Sequence, residues 1–144
     1  MSPRTVAIAA DHAGFELKTA LVDGLNDAGY SVLDLGTNDT DSVDYPDFAD
    51  RLARALERGA APRGVLICGS GIGISIAANR HPQIRAALCR DENDAEMARR
   101  HNDANVIAFA GSKMNAEAAR TCLQVFMETE FEGGRHARRI AKMS

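Results

Sequence analysis

Five short apolar runs punctuate the chain, and none of them alternates apolar with polar residues: Thr5 to Ala10, Ser31 to Leu35, Gly64 to Cys68, Ala86 to Cys89 and Asn105 to Ala110. A strand covered on one face alternates, whereas a strand covered on both reads as a continuous Val, Ile, Leu and Ala run. Between the runs the period changes to that of a helix. Leu17, Leu21, Val22 and Leu25 fall on one stripe, Phe48, Leu52 and Leu56 recur every four residues, and Ala119, Cys122, Leu123 and Phe126 form a third stripe. Pro46 suits the first turn of the second helix, where a missing N–H costs nothing. Strand and helix repeated in this way, with right-handed crossovers, predict an α/β domain: three layers, α/β/α, around a five-stranded parallel sheet. No repeat of solenoid length and no low-complexity stretch interrupts the pattern, so residues 1–144 read as one domain.

Composition narrows the class further. With 144 residues, 45% of them apolar, the chain is long enough to bury a core without disulfides or a structural metal. A net charge of −3, from 17 basic and 20 acidic residues, argues against general nucleic-acid binding. No apolar run approaches the roughly 18–20 residues that span a bilayer, so no membrane partner is expected. Met1 to Ala10 lacks the pattern of a secretory leader, and the expected location is cytoplasmic. Cys68, Cys89 and Cys122 are odd in number, widely spaced and set among apolar neighbours, which fits reduced thiols and neither a disulfide framework nor a zinc site.

In an open parallel sheet, ligands bind beyond the carboxyl ends of the strands where the strand order reverses. For a sheet that starts 2-1-3, that point lies between the first and third strands. The residues after those strands are Asp11-His12-Ala13-Gly14 and Cys68-Gly69-Ser70-Gly71-Ile72-Gly73, both chemically unusual for loops.

Glycines at 69, 71 and 73 leave successive backbone N–H groups free to face an anion, aided by the dipole of the helix that follows. A tight turn with no ligand is the plainer alternative. The spacing G-x-G-x-G is not the dinucleotide fingerprint, and no Gly-Lys-Ser/Thr follows to make a nucleotide P-loop. Cys68 ends its strand just before the helix, where the dipole favours negative charge on sulfur; a small buried apolar residue is the alternative. Asp11 fits either a helix cap or a functional carboxylate. His101-Asn102 falls at a loop edge after a polar helix (Asp91 to Arg100), where a solvated histidine competes with a functional one. Near the end, Arg135 and Arg139 stand four apart, so on a helix they share a face and present two planar forks to a phosphate. A solvated basic face is the alternative.

Taken together, these motifs resemble the type B ribose-5-phosphate isomerases of the ribose/galactose isomerase family, which also holds allose-6-phosphate and galactose-6-phosphate isomerases. The resemblance runs over nearly the whole chain. It is carried by Ala10 to Gly14 with Phe15 and Lys18, by Gly36-Thr37, Asp44-Tyr45-Pro46, Ile67 to Asn79, His101 to Val106, and Glu132 to His136. It implies a Rossmann-like fold that binds no nucleotide, and a homodimer, sometimes paired into a dimer of dimers, with sites built from both subunits. The implied reaction interconverts an aldose phosphate and a ketose phosphate, with no metal and no cofactor.

Carried over by position, the resemblance makes Cys68 the base that moves a proton between adjacent sugar carbons, with Ser70 as the hydroxyl beside it. Backbone N–H groups of Gly69, Gly71, Ile72, Gly73 and Ile74 would hold the enediolate oxygens, and Asp11 and His101 would assist ring opening. His12, Arg135 and Arg139 would bind phosphate, while Tyr45 and Asn102 would line the sugar. One branch of the family replaces the cysteine by a Glu in the glycine loop; here that position is Ile74, which cannot take a proton, so the chain resembles the cysteine branch. At Lys113 several members carry an Arg that reaches the phosphate; lysine keeps the charge without the bidentate fork. Ribose 5-phosphate is the expected substrate, with allose 6-phosphate, galactose 6-phosphate and tetrose 4-phosphates as alternatives. Two other classes compete: a flavodoxin-like or nucleotide-binding module, which would lack His101 and the basic tail, and a redox enzyme, which would carry a resolving cysteine near Cys68.

Overall fold

The computed structural model describes residues 4–143; Met1 to Pro3, part of the leader reading, lie outside them. Five strands, β1 (Thr5–Ala10), β2 (Ser31–Asp34), β3 (Arg63–Cys68), β4 (Ala86–Leu88) and β5 (Val106–Ala110), form one sheet in the order β2-β1-β3-β5-β4, with every pairing parallel. Helices α1 (Phe15–Asp27), α2 (Tyr45–Glu57), α3 (Ile72–Asn79), α4 (Glu92–Asn102) and α5 (Ala116–Glu128) make the crossovers and the outer layers, and a short α6 (Arg135–Ala141) closes the chain. The expected α/β/α architecture is what the chain adopts.

The two faces of the sheet fill separate halves of the core. Ile8, Ile67 and Phe109 point toward α1, α4 and α5, where they meet Leu21, Leu123 and Phe126. Leu66 and Val106 point the other way and meet Phe48 and Leu52 of α2 and Ile74 of α3. Each such side chain contributes roughly 1.5–3 kcal/mol on burial. β1, β3 and β5 are covered on both faces as their sequences suggested, but β2 and β4 are not: Ser31 and Asp34 are exposed and Ala86 to Leu88 only half-buried. They are the edge strands, and an edge is covered less well than the middle of a sheet. The strand ends also differ by a residue from the sequence reading, with β2 ending at Asp34, β3 beginning at Arg63, β4 ending at Leu88 and β5 beginning at Val106.

Two polar fixtures position the loops. Lys18, buried on α1, donates to both carboxylate oxygens of Asp34 at 2.8 and 2.7 Å, tying α1 to the end of β2. At the opposite edge of the sheet, buried Arg99 donates to Asp103 Oδ1 (2.9 Å), to the Ala104 carbonyl (2.7 Å) and to the Thr129 carbonyl (3.1 Å). It thereby joins the end of α4, the approach to β5 and the start of the tail.

Candidate active site

Ala10 of β1 pairs with Ile67 of β3, and the Asp11 N–H donates to the Ile67 carbonyl at 3.1 Å, so the two chemically unusual loops are neighbours at the carboxyl edge. β1 leads outward to β2 and β3 leads the other way toward β4, so the reversal of strand order falls between them. The glycine loop there is more internally bonded than the sequence suggested. Gly71, not Cys68, caps α3, and its N–H donates to Cys68 Sγ at 3.2 Å; the Ile72 N–H donates to Ser70 Oγ at 3.2 Å. These two donors are therefore engaged within the loop, whereas the Ser70, Gly73 and Ile74 N–H groups have no protein partner among the described residues. The Gly71 N–H at its sulfur supplies a fixed partial positive charge to Cys68, which is only 4% exposed.

Around this loop the neighbouring strand ends supply the remaining groups. Asp11 is a helix cap, its Oδ1 accepting from Ala13 and Gly14 N–H at 3.0 and 3.2 Å, and this fixes the carboxylate at the crevice. His12 Nδ1 accepts from the Val43 N–H at 3.1 Å; a neutral ring held this way carries its proton on Nε2. Tyr45, at the start of α2, lies against the glycine loop so closely that a Cβ on Gly73 would come 2.6 Å from its ring. Beyond β5, Ser112 Oγ donates to the Gly69 carbonyl at 2.6 Å, and exposed Lys113 follows it at the same edge.

The other predicted residues lie elsewhere. α4 runs on through His101 and Asn102, which occupy its last turn and not a loop, and its carboxyl end sits at the amino edge of the sheet, where Arg85 just ahead of β4 donates to the Asn102 carbonyl at 3.2 Å. There the His101 ring stacks on buried His136 of α6, with centroids 4.3 Å apart and planes 12° from parallel. The basic tail is helical, so Arg135 and Arg139 share an exposed face as the spacing implied. Within one chain, then, Asp11, His12, Tyr45, Cys68, Ser70 and Lys113 converge at one edge of the sheet, and His101, Asn102, Arg135 and Arg139 gather at the other.

Sequence spacing also missed two arrangements. Glu132 lies 3.5 Å from His136 Nε2, and with His101 these residues bring three candidate ligand atoms within 4.8 Å of one another, although no such cluster is evident along the sequence. The i, i+4 spacing of Glu132 and His136 held half of that signal; His101 arrives only through the packing of α6 on α4. Nitrogen lone pairs lie in the ring planes, and two near-parallel planes do not converge on one point, which suits a stacked pair better than a tetrahedral metal. Ser112 was missed because its value depends on β5 lying beside β3. The other thiols behave as their surroundings suggested. Burial, with a smaller effect of Asp94, pushes Cys89 up to about 12, and burial also raises Cys122.

A thiol, a carboxylate and unpaired backbone donors meeting at the ligand-binding reversal of an open α/β sheet define an enzyme crevice for an anionic, oxygen-rich substrate. A profile of the family described as Ribose/Galactose Isomerase matches residues 6–143. Ribose-5-phosphate isomerase B of Escherichia coli is 40% identical over 137 residues, spanning 95% of this chain and 92% of the relative. D-erythrulose-4-phosphate isomerase of Pectobacterium atrosepticum is 39% identical over 140 residues, spanning 96% and 92%. The crystal structure of a ribose 5-phosphate isomerase from Thermotoga maritima matches with a TM-score of 0.95 at 46% identity, covering 96% of each chain. The chain belongs to the ribose/galactose isomerase family, and its chemistry is that of a sugar-phosphate isomerase. Among the described residues no helix is long and apolar enough to cross a membrane.

Proposed function

We propose that this enzyme interconverts ribose 5-phosphate and ribulose 5-phosphate through an enediolate, with Cys68 as the base. The observation that carries the reading is the Gly71 N–H held 3.2 Å from Cys68 Sγ at the strand-order reversal, a thiol served by a helix start with no competing carboxylate in the glycine loop. Cys68 takes the C2 proton as thiolate and returns it to C1. The Ser70 hydroxyl, whose oxygen already accepts from Ile72, has its own hydrogen free to pass the O2 hydroxyl proton on to O1. The Ser70, Gly73 and Ile74 N–H groups face the charge that develops on oxygen, and donors fixed in advance cost no reorganisation when it forms. Asp11 and His101 assist opening of the furanose; His12, Lys113, Arg135 and Arg139 hold the phosphate.

Because His101, Asn102, Arg135 and Arg139 sit across the sheet from Cys68, one complete site takes two copies of the chain, and a homodimer or a dimer of dimers is the working form. Exposed Ile72 and Ile76 on α3 and Met143 beyond α6 supply apolar surface to such a contact. Three buried, unpaired cysteines fit a cytoplasmic enzyme. The Pectobacterium relative makes a tetrose 4-phosphate the second substrate to assay.

Cys68→Ala should lose nearly all turnover while its urea midpoint and its direct binding of inorganic phosphate, read by calorimetry, stay intact; turnover above about a tenth of normal would remove Cys68 from the role. Co-expressing Cys68→Ala with His101→Asn subunits should regain activity, since a mixed dimer holds one intact site. No regain would remove His101 of a second copy from the Cys68 site.

A further inference from the structure

We propose that Ser112 is a positioning residue that locks the Gly69–Ser70 peptide so that the Ser70 N–H faces the charge developing on the substrate. The inference rests on the isomerase reading above and extends it to a residue outside the reacting groups. The Gly69 carbonyl accepts twice from Ser112, from its N–H at 3.2 Å and from its Oγ at 2.6 Å. A trans peptide is planar, with C=O and N–H pointing in opposite directions. Drawing the Gly69 carbonyl toward β5 therefore turns the Ser70 N–H toward the Asp11 side, into the crevice.

The lock matters because of what lies on either side of it. Gly69 rotates at little steric cost, and the Ser70 N–H has no protein partner to hold it. A flipped peptide would point a carbonyl oxygen at an enediolate oxygen, replacing attraction by repulsion at the place where charge develops. Ser112 itself is held firmly: the Gly111 N–H donates to the Cys68 carbonyl at 2.8 Å, and a Cβ on Gly111 would come 2.8 Å from the Ala13 carbonyl oxygen. The hydroxyl thus reaches one step beyond the β3–β5 ladder from a stiff turn.

Ser112→Ala keeps the backbone bond and should fold normally. The probes are ribose 5-phosphate turnover, a phosphorylated hydroxamate that mimics the enediolate, inorganic phosphate and the urea midpoint. Ser112→Ala should lower kcat about ten-fold and weaken the hydroxamate about ten-fold, leaving KM, phosphate inhibition and the midpoint near wild type; Ser112→Thr should restore both losses. A Ser112→Ala enzyme within about two-fold of wild type in kcat and hydroxamate affinity would overturn the assignment, as would equal weakening of hydroxamate and phosphate. If the wild-type enzyme turns over no pentose phosphate and ignores the hydroxamate, the isomerase reading falls first and takes this inference with it. Wild-type turnover with an indifferent Ser112→Ala variant removes the role of Ser112 alone.

Discussion

Replacing Gly71 by alanine probes the glycine loop by shape alone. Gly71 caps α3 at φ 75°, where a side chain is strained by roughly 1–2 kcal/mol. Its added Cβ would also meet Leu88 Cδ1 at 2.5 Å and the Phe109 carbonyl carbon and oxygen at 2.9 and 3.0 Å. Leu88 can swing aside, but Phe109 is paired with Ile67 in the β3–β5 ladder and is fully buried, so the loop itself must move. Overpacking of this kind costs about 1–3 kcal/mol, for a total of about 2–5 kcal/mol. Gly59 is the control. It has φ 79°, yet a Cβ there would meet nothing within 4 Å, so Gly59→Ala should cost only the backbone strain. Urea unfolding of the two variants side by side isolates the crowding. If they lose the same stability, the close approach of β5 to the loop is not what requires glycine at 71. Gly71→Ala should also slow isomerisation, because the displaced N–H is the one that serves Cys68 Sγ.

Three further outcomes follow from the same geometry. Cys89 keeps its proton in the native state to about 12 while an unfolded thiol releases it near 9.0; above that lower value the native state binds more protons, so stability should fall as pH rises, and the slope should flatten in Cys89→Ala, read by urea unfolding. Asp34→Ala strands the buried Lys18 ammonium and should cost about 3 kcal/mol, whereas Lys18→Met leaves Asp34, itself 37% exposed, to water and should cost less; the reverse order in thermal unfolding would contradict the asymmetry. His101→Asn should slow the cyclic aldose phosphate far more than an open-chain ketose phosphate, and equal losses would remove ring opening from its role.

What the sequence revealed and what it hid divide along a physical line. The central strands and the stripes Leu17-Leu21-Leu25 and Ala119-Cys122-Leu123-Phe126 were legible because burial on a regular element writes its period into the chain. The meeting of Asp11 with Cys68 followed from the strand-order rule. The exposure of β2 and β4 depended on which strands are outermost, and the partners of Ser112 on which strand lies beyond β3, neither of which a local pattern encodes. The division of the candidate residues between two edges was implicit in the element order, since a helix between parallel strands ends where the next strand begins. The engagement of the Gly71 and Ile72 N–H groups inside the loop is a matter of fine backbone geometry, which glycine spacing does not record.

The grip of Arg99 on the Thr129 and Ala104 carbonyls has an evolutionary consequence. The sheet is held by packed hydrocarbon, but the tail that carries Arg135 and Arg139 is short and mostly exposed, held by polar contacts at its root and by the stacking of buried His136 on His101. Such a segment opens at lower free energy than the core and forms a unit of its own. Under the proposed phosphate role, substitutions on its exposed face retune the recognition of one end of a ligand while drawing little on the stability of the domain. The central strands and the glycine loop leave no comparable room, because their close contacts tie every change to folding. On that proposal, a lineage that explores new sugar phosphates has its freest ground at the exposed positions of α6 around buried His136.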